Sequence, residues 1–337
     1  MTEKDLIATD GLATVITANG EDYDLITMTG KEENQIIAPD VPIQDVSNGT
    51  NKIAVSVDRI ASRVIVTTTA SADLTDDQGT AIGSVSEVNF SVAQGTNKIH
   101  WLAQTDYVSY GSDYVPALGE YVGQADTYYD YSGLSVKNAV PTKPVAGEGY
   151  KALKGQYLFE NTHTEGDLAT TQYRKGNTAY VLVRAKFTPD PSAIVDGGTL
   201  TGGTFYVGQT DGKIYSSKQA ALAAVSNQKV ATYVGGKMIN YAWLNPDDLA
   251  TPLNSPVVRN HIYHVNITGF KRLSYNWNPL YPEDPNTVNP QNPDPKPGPE
   301  EPEIPIDPVD PLSPEQTNMS VEVTVLDWTV HSYDIEF

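Results

Sequence analysis

The last stretch of the sequence decides how the fold is interpreted, and it runs Met319-Ser-Val-Glu-Val-Thr-Val-Leu-Asp-Trp-Thr-Val-His-Ser-Tyr-Asp-Ile-Glu-Phe337. Apolar and polar residues alternate along it, which is typical of a strand with one buried face. The alternation changes phase twice, so we expect a strand that bends or moves to another sheet. A lone strand is not stable in water, and the segment must therefore complete a sheet elsewhere.

A proline-rich segment, residues 279–314, separates this terminal stretch from the rest of the chain. It holds 13 of the 23 prolines together with many acidic residues and a single Lys. Proline at this density excludes helices and central strands and favours polyproline II. At about 3.1 Å per residue the segment spans at most about 110 Å, so we interpret it as a spacer or an extended strap.

Two destinations are open to the terminal strand. It either folds back onto its own chain or inserts into another molecule by strand addition. The chain ends at Phe337 with no polar cap, and natural proteins rarely leave an apolar strand edge exposed. We expect a split, in which residues 321–330 pack at home and residues 333–337 extend outward.

The residues before the tether predict further strands. Short alternating apolar runs at 53–57, 180–187 and 261–268 are typical of an all-β sandwich or open barrel. The Asp211-Gly212 turn predicts a hairpin, and Ser216-Ser-Lys-Gln219 has capping-box spacing before one short helix at 220–225.

Turn composition near residues 160–168 predicts a domain boundary. We therefore divide the chain into four parts. These are an N-terminal β-sandwich domain (1–164), a C-terminal β-sandwich domain (165–278), the tether (279–314) and a C-terminal strand region (315–337).

Composition excludes several functions. The 337 residues carry a net charge of −20, which disfavours nucleic acid as a partner. There is no cysteine, so disulfides, thiol catalysis and Cys-based metal sites are excluded. Catalytic and cofactor-binding motifs are absent from the sequence, and we expect neither an enzyme nor a cofactor.

Metal binding is weighed at two places. Asp73, Asp76 and Asp77 supply oxygens that suit Ca²⁺, but their spacing matches no standard loop, and a solvated acidic turn is the favoured interpretation. His261 and His264 are three positions apart, and such residues face opposite sides of a strand. Joint ligation of a metal by the two is therefore disfavoured.

A tyrosine-rich stretch at residues 107–131 has the composition of a binding loop. The favoured interpretation is a loop packed on its own sandwich, and contact with a ligand is the alternative. The residues that would make the contact are Tyr107, Tyr110, Tyr114, Tyr128, Tyr129 and Tyr131.

Several stretches together resemble a known family. They are residues 57–65 (Val-Asp-Arg-Ile-Ala-Ser-Arg-Val-Ile), 157–162 (Tyr-Leu-Phe-Glu-Asn-Thr), 180–189, 259–270, the tether and the Val-x-Asp-Trp-x-Val of 325–330. In this order they resemble the fimbrillins, the major pilin subunits of Bacteroidales type V fimbriae, and are most similar to the minor-fimbria shaft type.

The resemblance implies two transthyretin-like β-sandwich domains and export through the outer membrane, as a lipoprotein, to a surface fimbrium. It implies that an Arg-specific protease removes a first strand, and that the C-terminal strand of a neighbouring copy fills the groove left behind. Further implied partners are anchor and tip subunits and host or bacterial surface proteins or glycans. Val15 and residues 53–57 are suggested as groove residues. Met1 follows no signal peptide or lipidated Cys, so either the chain is a processed or recombinant mature form or the export expectation is wrong.

We therefore expect a structural subunit that polymerises by donor-strand exchange into a surface fimbria mediating adhesion. The predicted donor residues are Trp328, Val330, Tyr333, Ile335 and Phe337. One alternative is a fimbrial tip adhesin, or a glycan- or protein-binding module that uses the tyrosine-rich stretch. A secreted glycosidase or peptidase is the other, motivated only by the abundance of carboxylates.

Overall fold

A computed structural model gives the fold of the chain. It describes residues 7–9, 13–18, 21–30, 37–93, 95–96, 98–102, 129–130, 138–144, 153, 155–160, 174, 178–244, 257–277, 319–327 and 331–335. In chain order, the strands are β1 (Ile7–Thr9), β2 (Ala13–Ala18), β3 (Glu21–Ile26), β4 (Met28–Thr29), β5 (Ile53–Arg59), β6 (Ser62–Thr68), β7 (Asp73–Thr75), β8 (Ala81–Ala93), β9 (Gly95–Thr96), β10 (Lys98–His100), β11 (Tyr129–Asp130), β12 (Asn138–Ala139), β13 (Gln156–Leu158), β14 (Tyr180–Pro189), β15 (Phe205–Gly208), β16 (Ile214–Tyr215), β17 (Val230–Tyr233), β18 (Lys237–Trp243), β19 (His261–Phe270), β20 (Met319–Asp327) and β21 (His331–Ile335). The α-helices among these residues are α1 (Ile43–Ser47) and α2 (Lys218–Ala224). The prediction of an all-β fold is confirmed, but α1 is a second short helix that the sequence pattern did not predict.

Two sheets dominate the architecture. The first has the strand order β12-β8-β14-β18, with β7 also paired to β8, and the second has the order β13-β6-β19-β20. Strands from both halves of the chain are neighbours in each sheet, since β8 pairs with β14 and β6 runs parallel to β19. The predicted boundary at residues 160–168 lies almost wholly outside the described residues. A division at 164/165 stays a prediction, and it would require the two domains to share both sheets.

The first core lies between these two sheets. Alternate residues along part of β14 and part of β19 face it, including Val181, Val183, Val265 and Ile267, all of which are fully buried. β-branched side chains suit this position because they pack well on a pleated surface. Met319, at the start of β20, is also buried in this core, so the segment after the tether contributes to it.

A second core lies farther along the first sheet. The register between β8 and β14 shifts between Arg184 and Lys186, and beyond the shift Phe187 packs against the small sheet β16-β15-β17. The ring of Phe205 stacks on Tyr233 at 4.7 Å between centroids and meets Phe187 edge-on at 5.6 Å. One continuous sheet therefore contributes to two cores.

The predicted hairpin and helix in this region are confirmed, but the N-cap of the helix is one residue later than predicted. β15 and β16 form the predicted hairpin, with Gly212 at a φ of 66° in the turn. The predicted helix is α2, but its N-cap is Ser217, whose hydroxyl accepts a hydrogen bond from the N–H of Ala220. Ser216 is instead held by Asp196, which accepts from its N–H at 2.9 Å and from its hydroxyl at 2.7 Å.

The terminal stretch divides between two sheets, as its changes of phase predicted. β20 pairs with β19 from Met319 to Asp327, which confirms that this part packs at home. β21 belongs to a separate three-stranded sheet with the order β21-β5-β4. The tether, residues 279–314, lies outside the described residues.

Candidate assembly site

The sheet β21-β5-β4 joins residues 331–335 to residues 53–59. β5 alternates in exposure, with Ile53, Val55 and Val57 half-buried and Ala54 and Ser56 exposed. This alternation follows from the period-2 pattern of the sequence. β5 therefore has one apolar face, and its backbone is available to partner strands.

The terminal strand β21 pairs antiparallel with β5 of the same chain. Tyr333 is the register partner of Val55, and Ile335 is the register partner of Ile53. The expectation that residues 333–337 extend outward is wrong for residues 333–335 of the single molecule, and residues 336–337 lie outside the described residues. The physical reason is that an unpaired strand leaves its backbone groups without partners, while β5 offers a ladder within reach.

Other predicted site residues fall in different places. Trp328, Val330 and Phe337 lie outside the described residues, and so do Tyr107, Tyr110, Tyr114, Tyr128 and Tyr131. Tyr129 is in β11, which pairs with β9. Of the suggested groove residues, 53–57 are the part of β5 that pairs with β21, whereas Val15 lies in the separate hairpin of β2 and β3.

A buried ion pair lies behind the far end of β5. The Nη2 of Arg259 is 2.8 Å from Oε2 of Glu160 and its Nε is 2.9 Å from Oε1, which makes a two-point contact. Both side chains are almost fully buried, at 2% and 0% exposure. The remaining donor, Nη1, lies 3.4 Å from Oγ1 of Thr29 in β4 and 3.2 Å from the carbonyl oxygen of Trp101. Four separated parts of the chain therefore meet at one guanidinium.

Asn260, the next residue, ties the same region to β5. Its Nδ2 donates to Oδ1 of Asp58 at 3.0 Å, and its Oδ1 accepts from the N–H of Arg59 at 3.4 Å. Its own N–H donates to the carbonyl of Ala61 at 3.0 Å. The backbone here has a φ of 60°, a conformation that Asn tolerates better than most residues.

These residues lie within longer stretches of the sequence, and the sequence alone does not single them out. Asp58 and Arg59 come from the first stretch, Glu160 from the second, and Arg259 and Asn260 from the fourth. The available signal was a charged residue directly after an apolar run, as in Tyr-Leu-Phe-Glu160. That signal does not identify a partner, because the pairing spans 99 positions of the chain.

A second polar cluster lies on the small sheet. The hydroxyl of Tyr215 donates to Oδ2 of Asp211 at 2.5 Å. This hydrogen bond, with burial as the next cause, raises the pKa of Tyr215 above its ordinary 10.0. Burial alone would raise the pKa of Asp196, but the hydrogen bonds from the hydroxyl and N–H of Ser216 outweigh it, so the pKa is lowered from 3.8.

The structure bears on the metal alternatives as well. Asp76 uses Oδ1 to accept from the N–H groups of Gln78 and Thr80, at 2.9 and 2.8 Å, so it closes its own turn. His261 contacts the carbonyl of Arg259, whereas His264 is buried beside Thr67. Within the described residues no three His, Cys, Asp or Glu side chains cluster in a way that could hold a metal ion.

The chain is similar to proteins of fimbriae. A family model described as "Major fimbrial subunit protein type IV, Fimbrillin, C-terminal" matches residues 231–334, a range that includes β18, β19, β20 and most of β21. Two proteins of Porphyromonas gingivalis, each named minor fimbrium subunit Mfa1, are 38% and 37% identical to the chain, covering 93% of it and 67% of their own length. The chain belongs to the fimbrillin family.

The fimbrillin is also similar to a solved fimbrilin from Porphyromonas gingivalis W83. The two are 13% identical with a TM-score of 0.36, and the match covers 81% of this chain and 59% of the solved one. The fimbrillin thus spans less than two thirds of that protein's length. Family membership makes the chain a structural subunit of a cell-surface fimbrium involved in adhesion, and members of the family are not enzymes. No helix among the fimbrillin's described residues is long and apolar enough to cross a membrane.

Proposed function

We propose that the chain polymerises by donor-strand exchange, in which β21 of one copy replaces β21 of the next copy on strand β5. The observation that carries the proposal is the pairing of residues 331–335 with residues 53–57, two distant parts of one chain. A strand that pairs in this way within a molecule can make the same hydrogen bonds between molecules, which is the basis of strand exchange and strand addition.

The register supports specific donor positions. Tyr333 and Ile335 pair with Val55 and Ile53, the half-buried positions of β5, whereas Ser332 and Asp334 pair with the exposed Ser56 and Ala54. Large apolar residues of β21 are therefore the register partners of the half-buried apolar residues of β5. Trp328, Val330 and Phe337 are proposed as further donor residues on the basis of their sequence pattern.

The short connection between the last two strands limits the geometry. Three residues, 328–330, separate β20 from β21, and three residues span at most about 11 Å when fully extended. If β20 stays paired with β19, the acceptor must lie directly beside the donor subunit. Anchor and tip subunits, host or bacterial surface molecules and an Arg-specific maturation protease are proposed as further partners, and export through the outer membrane is proposed as the route.

Deletion of residues 332–337 tests the proposal. The truncated chain is expected to fold, because β20 and both cores remain, but to stay monomeric. Circular dichroism and size-exclusion chromatography would check the fold, and electron microscopy would check for fibres. Fibres indistinguishable from those of the full chain would contradict donor-strand exchange.

A matched pair of variants sharpens the test without shortening the chain. Tyr333→Ser with Ile335→Ser removes the residues opposite the apolar side of β5, and Ser332→Ala with Asp334→Ala changes the positions opposite its exposed side. We expect fibre yield to fall sharply in the first variant only. Equal loss in both variants would mean that the register does not define the donor face.

A further inference from the structure

Two strands pair with β5, and each pairs with a different part of it. Residues 53–57 pair with β21, whereas Asp58 and Arg59 pair with Thr29 and Met28 of β4. The N–H of Ile60 also donates to the carbonyl of Thr27 at 3.0 Å. Among the residues that the structure describes, departure of β21 would leave residues 53–57 without a strand partner, while residues 58–59 stay paired with β4.

The end of β5 that pairs with β4 is stabilised by the residues around Arg259 and Asn260. We call Thr29, Asp58, Arg59, Glu160, Arg259 and Asn260 the anchor cluster. Asn260 grips the backbone and side chain at the end of β5 through its contacts to Arg59 and Asp58. Arg259, fixed by its two-point contact to Glu160, reaches Thr29 on the neighbouring strand β4.

Close backbone contact adds to this fastening. Gly30 follows β4, and a Cβ at this position would collide with the carbonyl oxygen of Ser56 in β5. A buried ion pair is weak evidence for overall stability, and in some proteins buried polar groups instead specify one arrangement. The cluster is therefore suited to holding β4 and β5 in a single register.

We propose that the anchor cluster is a positioning site for assembly. It keeps residues 53–57 of β5 in strand form while the β21 of one copy leaves and the β21 of another copy arrives. The inference rests on the proposed strand exchange. An acceptor that is already ordered binds its partner without the entropic cost of ordering five residues at that moment. A strand fixed at one end also has a defined point from which an incoming strand can pair residue by residue.

The test exchanges two side chains within the cluster in the full-length chain. Asn260→Asp alone places a second carboxylate against Asp58 and removes the amide donor. Combining Asn260→Asp with Asp58→Asn restores one amide facing one carboxylate, with their positions reversed. Asn227→Asp is the matched control, because Asn227 has nearly the same backbone conformation, with a φ of 62°, in a turn after α2.

Hydrogen exchange at residues 53–57, measured by mass spectrometry, and the rate of fibre growth are the two readouts. We expect Asn260→Asp to speed exchange at 53–57 by about tenfold and to slow fibre growth, with residues 180–189 in the first core unchanged. The combined variant should recover both values to within about twofold. The control should resemble the native chain in both.

Three results would overturn the inference. They are unchanged exchange at 53–57 in Asn260→Asp, exchange that rises equally throughout the chain, and failure of the combined variant to restore the native values. The outcome is separable from that of the proposed function. If the native chain formed no fibres, strand exchange would fail, while hydrogen exchange at 53–57 would still decide whether the cluster orders β5.

Discussion

Tyr215 shows how one hydrogen bond links a surface turn to the pH response of the molecule. Its hydroxyl donates to Asp211 and the side chain is 4% exposed. Because its pKa is raised by this bond and then by burial, the folded chain holds the phenol proton more tightly than the unfolded chain. The resulting stabilisation is complete below the ordinary pKa of 10.0 and is lost as the pH rises through the higher native value.

We therefore expect the free energy of unfolding to fall as the pH rises above about 10, with a smaller fall in Tyr215→Phe. At neutral pH the same substitution should cost about 0.5–1.5 kcal/mol, because Asp211 loses a donor. Urea denaturation across this pH range measures both effects. Tyr206→Phe, at the register partner of Tyr215, is the control, and an identical alkaline slope in native and Tyr215→Phe chains would contradict the prediction.

Residue-level predictions from sequence succeeded where the partner is local. Asp211-Gly212 and the serines before α2 act within a few positions, so their roles can be predicted from spacing. The pairing of Arg259 with Glu160 could not be predicted, because it requires knowing how β19 and the end of β13 come together. The prediction of Ser216 as the N-cap was wrong for a similar reason, since Asp196, which accepts hydrogen bonds from Ser216, is 20 positions away.

At the scale of the element, α2 offers a direct test of its cap. Ser217→Ala removes the hydroxyl that accepts from Ala220, and we expect a loss of about 1 kcal/mol in the free energy of unfolding. Ser217→Asp should retain most of the stability, since a carboxylate caps as well as a hydroxyl. Denaturant unfolding measures both variants, and a free energy of unfolding of Ser217→Ala equal to that of the native chain would contradict the prediction.

The strands were predictable as elements but not as neighbours. Alternating patterns predicted β14, β19 and β20 close to their observed bounds, because a half-buried strand leaves a period-2 pattern. The same pattern says nothing about which strand lies alongside. The pairing of β21 with β5 could not be predicted, because it depends on β5 having an edge to which β21 can hydrogen-bond. Only the assembled sheets show that edge.

For the whole molecule, net charge affects association between copies. Each copy carries −20, so copies repel one another before their strands can pair. Raising the salt from 0.01 to 0.15 M shortens the Debye length from about 30 to about 8 Å. We expect fibre growth to accelerate over this range, as followed by light scattering.

The truncated chain lacking residues 332–337 is the control for this experiment. It should show no growth at any salt concentration, because screening charge does not supply the missing strand. Growth of the native chain that is slower at 0.15 M than at 0.01 M would contradict the electrostatic argument. It would point instead to opposite charges that attract at the contact between subunits.

The parallel pairing of β6 with β19 has a consequence for the order in which the chain folds. Thr67 and Asn266, which bond across these strands, are 199 positions apart, and contacts this distant form slowly because a long loop must first close. Met319, which follows the proline-rich segment, is also part of the first core. The core is incomplete until residue 319 has been synthesised, so a newly made chain is expected to remain unfolded for longer than one built from local contacts.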